Sequence, residues 1–110
     1  MIYAVDFDGT LCTNEFPEIG KPNKDLIDYL IRERINGNKV ILNTMREGDN
    51  LKNAIEWCTK LGLVFDCIND NLPELQLSFG NNPRKIYADV YIDDHNARCK
   101  LLTNLPYKEN

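Results

Sequence analysis

Four short apolar runs, each closed by polar or acidic residues, constrain this chain more than any other feature. The first is Ile2, Tyr3, Ala4 and Val5, followed by Asp6 and Asp8. The second covers 39–44 and ends in Asn43 and Thr44, with Arg46 just beyond. A weaker third covers 64–68 and runs into Asn69 and Asp70, and a fourth covers 86–92 and ends in Asp93 and Asp94. Short runs rich in β-branched and aromatic residues read as buried strands.

Helical patterning fills two of the gaps. Ile27, Leu30, Ile31 and Ile35 share one face, opposite Lys24, Asp25, Asp28, Arg32 and Glu33. Pro22 near the start and Gly37 past the end bound a helix over about 23–36. Leu51, Ala54, Ile55, Cys58 and Leu61 form a second stripe, with Asp49 or Asn50 as cap and Gly62 as stop. Trp57 lies off the centre of that stripe. Residues 9–21 read as a loop with a small hairpin. Residues 69–84 read as a long loop with one helical turn around Leu72, Leu75 and Leu77. Residues 95–110 add a further turn and a short strand.

Strands alternating with helices imply an α/β fold: a three-layer, Rossmann-like sandwich around a mostly parallel sheet. Its crossovers are right-handed. Ligands bind outside the carboxyl ends of such strands. All four polar clusters then fall along one edge, although they are far apart in sequence.

The 110 residues suit a single domain over 1–110. No apolar stretch is long enough to cross a bilayer, and no basic segment leads an apolar one at the N-terminus. The expected compartment is the cytoplasm, with no membrane partner. Cys12, Cys58, Cys67 and Cys99 form no Cys-x-x-Cys pair, and the lone His95 reads as a surface residue. Free thiols in a reducing compartment follow.

The net charge of −4 is unevenly placed. Residues 1–20 hold Asp6, Asp8, Glu15 and Glu18 and no Lys or Arg, which leaves 13 charges of each sign over 21–110. That disfavours general nucleic-acid binding, which needs a basic stripe. It suits a segment that holds a cation.

Carboxylates gathered on one edge repel: two charges 4 Å apart cost roughly 4 kcal/mol at an effective dielectric of 20. Such a cluster takes up protons or a cation. Oxygen ligands without Cys or His favour Mg²⁺, which accepts few carboxylates and completes its shell with water and substrate phosphate. Within Asp6-Phe7-Asp8-Gly9-Thr10, alternation puts both Asp side chains on one side and Phe7 on the other. Gly9 lets the chain turn sharply and leaves room for a ligand near the backbone. One carboxylate can attack phosphorus, and the other can protonate the leaving oxygen and later activate water.

Asp6-Phe7-Asp8-Gly9-Thr10 resembles the first motif of the haloacid dehalogenase superfamily of phosphatases. Val40 to Thr44 resembles the second motif, an apolar strand ending in a phosphate-binding hydroxyl. Lys85 resembles the third-motif lysine, with Arg84 adjacent to it. Tyr91-Ile92-Asp93-Asp94 resembles the fourth, an apolar strand ending in an acidic pair. The resemblance runs in order over residues 2–94.

That resemblance implies roles. Asp6 would be nucleophile and metal ligand. Asp8 would be the acid/base, with its backbone carbonyl on Mg²⁺. Thr44 and Lys85 would hold the phosphoryl oxygens. Asp93 would bind the metal, and Asp94 would bind it directly or through water, or else cap a following turn. Gly9 and Thr10 are taken as substrate contacts, whereas Arg46 reads equally as a substrate contact or a surface charge. The segments 11–22 and 70–84, where relatives insert a cap domain, are too short to form one. The implied protein is a capless phosphomonoesterase for a small phosphorylated substrate, a nucleotide or sugar phosphate. A nucleic-acid end is a less favoured substrate. An open site admits a large substrate or a covering subunit, a second copy of the chain included.

Two other classes compete. Receiver domains, which accept and keep a phosphoryl group, combine similar residues but carry the phosphorylated Asp on a later strand. A catalytically silent phosphate- or metal-binding module would lack an essential motif residue, and none is missing.

Overall fold

The computed structural model describes residues 1–74 and 86–93. Lys85, Arg84, Asp94, His95 and Cys99 lie outside the described residues, as do the turns expected around Leu75 and Leu77 and in 95–110. The elements run β1 (Ile2–Val5), α1 (Lys24–Ile35), β2 (Lys39–Leu42), α2 (Gly48–Lys60), β3 (Cys67–Ile68) and β4 (Val90–Ile92).

The four strands form one all-parallel sheet in the order β3-β2-β1-β4. Parallel pairing follows from the helical crossovers. β1 is central, with Tyr3 beside both Val40 and Val90 and Val5 beside both Leu42 and Ile92. This is the α/β architecture the patterning predicts. The steps from β1 to β2 and from β2 to β3 go the same way across the sheet, so right-handed crossovers put both helices on one face. The core agrees: Tyr3, Val5, Val40 and Leu42 share one cluster with Leu26, Ile27 and Leu30 of α1 and Ala54 and Cys58 of α2. Among the described residues, no helix of the element order lies on the other face.

β3 and β4 are shorter than their apolar runs, for local reasons. Before β3, Asp66 pairs its own backbone and carboxylate with Val40: its N–H donates to the Val40 carbonyl, and its Oδ2 accepts from the Val40 N–H at 2.8 Å. Before β4, the Tyr91 hydroxyl donates to the Ile86 carbonyl and accepts from the Ala88 N–H, so this stretch wraps around a side chain.

In α1, Asn23 caps the helix by accepting from the Leu26 N–H at 3.4 Å. Its inner face is Leu26, Ile27 and Leu30, and Ile35 is 78% exposed. Ile35 instead edges a depression shared with Ile31, Arg34 and Gly62, because the chain turns at Gly62 and leaves the last turn uncovered. α2 begins two or three residues earlier than a cap at Asp49 or Asn50 implies. Glu47 stands at its N-cap without a side-chain bond, so neither Asp49 nor Asn50 is the cap. Asp49 sits in the first turn, where its charge complements the helix dipole.

The hairpin expected within 9–21 is present as a flap. Cys12 bridges antiparallel to Pro22, and the Thr13 N–H donates to the Lys21 carbonyl. Gly20 closes it: a Cβ there would collide with the Thr13 hydroxyl and carbonyl oxygens. No helix among the described residues is long and apolar enough to cross a membrane.

Candidate active site at the carboxyl edge of the sheet

β1 ends at Val5, and the next residue stays in register because the Asp6 N–H donates to the Ile92 carbonyl at 2.9 Å. β2 extends similarly, with the Asn43 N–H on the Val5 carbonyl at 2.8 Å. These bonds hold the ends of β1, β2 and β4 side by side. There a cavity of about 220 Å³ is lined by Asp6, Asn43, Thr44, Met45, Tyr91 and Asp93 among others. Three of the predicted site residues, Asp6, Thr44 and Asp93, therefore face one space.

Their bonding differs. Asp6 Oδ1 accepts from the Phe7 N–H at 2.8 Å, which orients the carboxylate. Asp93 Oδ1 is buried and has no hydrogen-bond partner among the described residues. An ionised carboxylate oxygen left so costs free energy unless a cation or donor meets it. Thr44 is held twice. Its N–H donates to Asn69 Oδ1 at 2.8 Å, and its hydroxyl oxygen accepts from the Arg46 N–H at 3.1 Å. With an acceptor site already used, the hydroxyl proton is left to donate elsewhere.

Asn69 adopts a left-handed conformation, φ 53°, which Asn tolerates better than most residues. Its N–H donates to the Leu42 carbonyl at 2.7 Å, so it both ends β3 and fixes the Thr44 backbone. Sequence reading treats it as a strand end. An Asn placed where the chain must turn is the only signal of the larger role.

Asp8 is placed differently from Asp6. Arg46 Nε and Nη2 donate to its two oxygens, each at 2.8 Å. The other donors of Arg46 go to the carbonyls of Pro17, Glu18 and Asn50. A guanidinium has five N–H groups, and these five bonds use them all. The group also lies 4.9 Å from the centroids of both Phe7 and Phe16. Its side chain is 1% exposed against 18% for Asp8. Hydrogen bonding to Asp8 raises the Arg46 pKa despite the opposing effect of burial. Arg46 is thus neither a surface charge nor a free substrate contact. It is a buried clamp joining Asp8 to the flap and to the first turn of α2.

Asp6 and Asp8 line different cavities rather than one, because β1 ends at Val5 before either of them, and Phe7 between them goes into the core. It is fully buried and meets Trp57 edge-on, with centroids 5.5 Å apart. This explains why Trp57 lies off the α2 stripe: it packs under the Asp-Phe-Asp turn and not only against the sheet. Gly9 has φ 83°, the conformation its turn needs. Gly9 and Thr10 line a separate cavity with Cys12, Lys21 and Pro22, not the one holding Asp6. Thr10 Oγ1 is buried and has no partner among the described residues.

Among the described residues no group of three or more His, Cys, Asp or Glu is assembled that could hold a metal ion. The residues in place still fit Mg²⁺. Asp6 and Asp93 share a cavity, one Asp93 oxygen is orphaned, and this ion needs only one or two carboxylates when phosphate and water complete its shell. Arg46 takes one site on each Asp8 oxygen, and the resemblance assigns to such a set only the backbone carbonyl of Asp8.

No protein-family model matches the chain, and no curated protein matches it. A solved structure of a conserved protein from Bacteroides thetaiotaomicron is similar, with 38% sequence identity and a TM-score of 0.77, covering 90% of this chain and 79% of that one. At this identity and coverage, the chain belongs to the same family as that conserved protein from Bacteroides thetaiotaomicron.

Proposed function

We propose that the chain is a capless, haloacid-dehalogenase-type, Mg²⁺-dependent phosphomonoesterase that works through an aspartyl phosphate on Asp6. The observation that carries this reading is the shared cavity of Asp6, Thr44 and Asp93, with one Asp93 oxygen buried and unpaired among the described residues. The sequence resemblance assigns nucleophile, phosphate ligand and metal ligand to those same three positions.

In the first half-reaction an Asp6 oxygen attacks phosphorus. The phosphorus–oxygen bond to the leaving group breaks, and the leaving oxygen takes a proton from Asp8. In the second, water attacks phosphorus and gives its proton to Asp8. The bond to Asp6 breaks and inorganic phosphate leaves. A carboxylate has about four lone-pair sites, so Asp8 can carry a proton while Arg46 holds one site on each oxygen. Thr44 donates its hydroxyl proton to a phosphoryl oxygen, and Lys85, outside the described residues, is the expected second donor. Asp6, Asp93 and the Asp8 carbonyl would hold Mg²⁺, with Asp94 as a further ligand outside the described residues; when bound, the ion offsets the charge of the transferring group.

A second reading rests on the same clamp. If the two Asp8 sites taken by Arg46 are those the proton needs, the phosphoryl group stays on Asp6 and the domain is a phospho-acceptor.

The test is phosphate release from p-nitrophenyl phosphate and a panel of nucleotides and sugar phosphates, with Mg²⁺ or EDTA, for wild type and Asp6→Asn. Turnover that requires Mg²⁺ and disappears in Asp6→Asn supports the esterase. Labelling of Asp6 without release supports the acceptor. Turnover unchanged in Asp6→Asn refutes both.

A further inference from the structure

Beside the phosphoryl cavity lies a second space of about 260 Å³, lined by Asp8, Asn14, Phe16, Met45 and Arg46. Met45 borders both. If Asp8 protonates the leaving oxygen, the leaving group must extend along this wall, so the second space receives whatever the phosphate is attached to.

Three features describe that group. Its walls are apolar and open: Phe16 is 55% exposed and Met45 97%. Phe16 and Met45 line the same space, and exposed apolar side chains that cluster are more informative than ones scattered singly. Next, the Phe16 ring is held. One face lies on the Arg46 guanidinium, whose five donors are all engaged, two of them by the Pro17 and Glu18 carbonyls next to Phe16. The ring is therefore a fixed platform with a free face. Lastly, among the described residues that line it, the space has no spare positive charge. Arg46 is spent on Asp8, whose carboxylate also lines the space. A second phosphate would meet that carboxylate here. A neutral, flat group suits the space, with Asn14 positioned to meet a polar edge.

We propose that this space is the leaving-group subsite, and that it takes the base of a nucleoside monophosphate stacked on Phe16. The proposal rests on the esterase reading above. Base–aromatic stacking is sequence-tolerant and is commonly worth about tenfold to a hundredfold per base.

The experiment compares adenosine 5′-monophosphate with ribose 5-phosphate, which carries a hydroxyl at C1′ in place of the base. The full chain is assayed with Mg²⁺ as wild type, Phe16→Ala and Met45→Ala. In wild type, kcat/KM for the nucleotide should exceed that for ribose 5-phosphate by at least about tenfold. In Phe16→Ala that ratio should fall to within about threefold of one, with the change in KM. Met45→Ala, at a fully exposed position that leaves folding intact, should lower the ratio by a smaller factor. Equal kcat/KM for both substrates in wild type overturns the subsite and leaves the esterase standing. If wild type hydrolyses neither, the esterase fails, and the subsite is decided by calorimetric titration with adenosine 5′-monophosphate. Binding weakened at least about tenfold by Phe16→Ala supports it, and no binding to wild type overturns it.

Discussion

Replacing Arg46 with Ala should unfold much of the margin that keeps this chain native. Breaking a buried ion pair by removing one partner costs about 3–5 kcal/mol. Asp8 is 18% exposed and can recover some hydration, which places the pair near the low end, about 3 kcal/mol. The Pro17 and Glu18 carbonyls lie in an exposed stretch where water replaces the lost donors. Two cation–π contacts at 4.9 Å add about 0.5–1 kcal/mol each. The expected loss is about 4 kcal/mol, a large share of the 5–15 kcal/mol typical of a domain. Urea unfolding is the assay, followed by fluorescence of the one tryptophan, Trp57, whose ring meets Phe7 beneath the clamp. Combining Arg46→Ala with Asp8→Asn in a double-mutant cycle isolates the pair, with an expected coupling of about 2 kcal/mol. Arg46→Lys should recover little, because a point charge cannot reproduce the two-pronged contact. A coupling below about 0.5 kcal/mol, with Arg46→Ala within about 1 kcal/mol of wild type, would refute the clamp.

Other outcomes can be checked separately. For Asp66, burial pushes the carboxyl pKa up, but the Arg34 hydrogen bond and the Val40 N–H outweigh it and the net shift is downward. Its stabilisation is therefore present above the unfolded value, about pH 4, and is lost as pH falls through the depressed folded value. Asp66→Asn should cost about 1–2 kcal/mol at pH 7, with the gap to wild type closing below about pH 4 in unfolding curves. Burial pushes the Cys58 thiol up to about 12 and also raises Cys12; mass spectrometry after iodoacetamide treatment at pH 8 should find both unmodified until denaturant is added. Asn69→Gly keeps the left-handed backbone but removes the acceptor for the Thr44 N–H, so it should lower phosphate release with little loss of stability. Asn69→Ala should lower release and also destabilise, by about 1–2 kcal/mol. Equal stability of the two variants would argue against strain at φ 53°.

The parallel sheet was readable from the chain because the apolar runs alternate with helical stripes, which leave room only for crossovers. The same patterning predicts that Asp6, Thr44 and Asp93 meet, since parallel strands bring all their carboxyl ends to one edge. Arg46 was not readable. Nothing near it in sequence says that Asp8, 38 positions away, will take two of its donors and the flap two more. The reach of Asn69 to Thr44 and the packing of Trp57 under Phe7 also join segments distant in sequence. Periodicity reports which face of an element is buried, because that depends on residues a few positions apart. Which polar group meets which depends on how whole elements stack, and only the folded chain decides that.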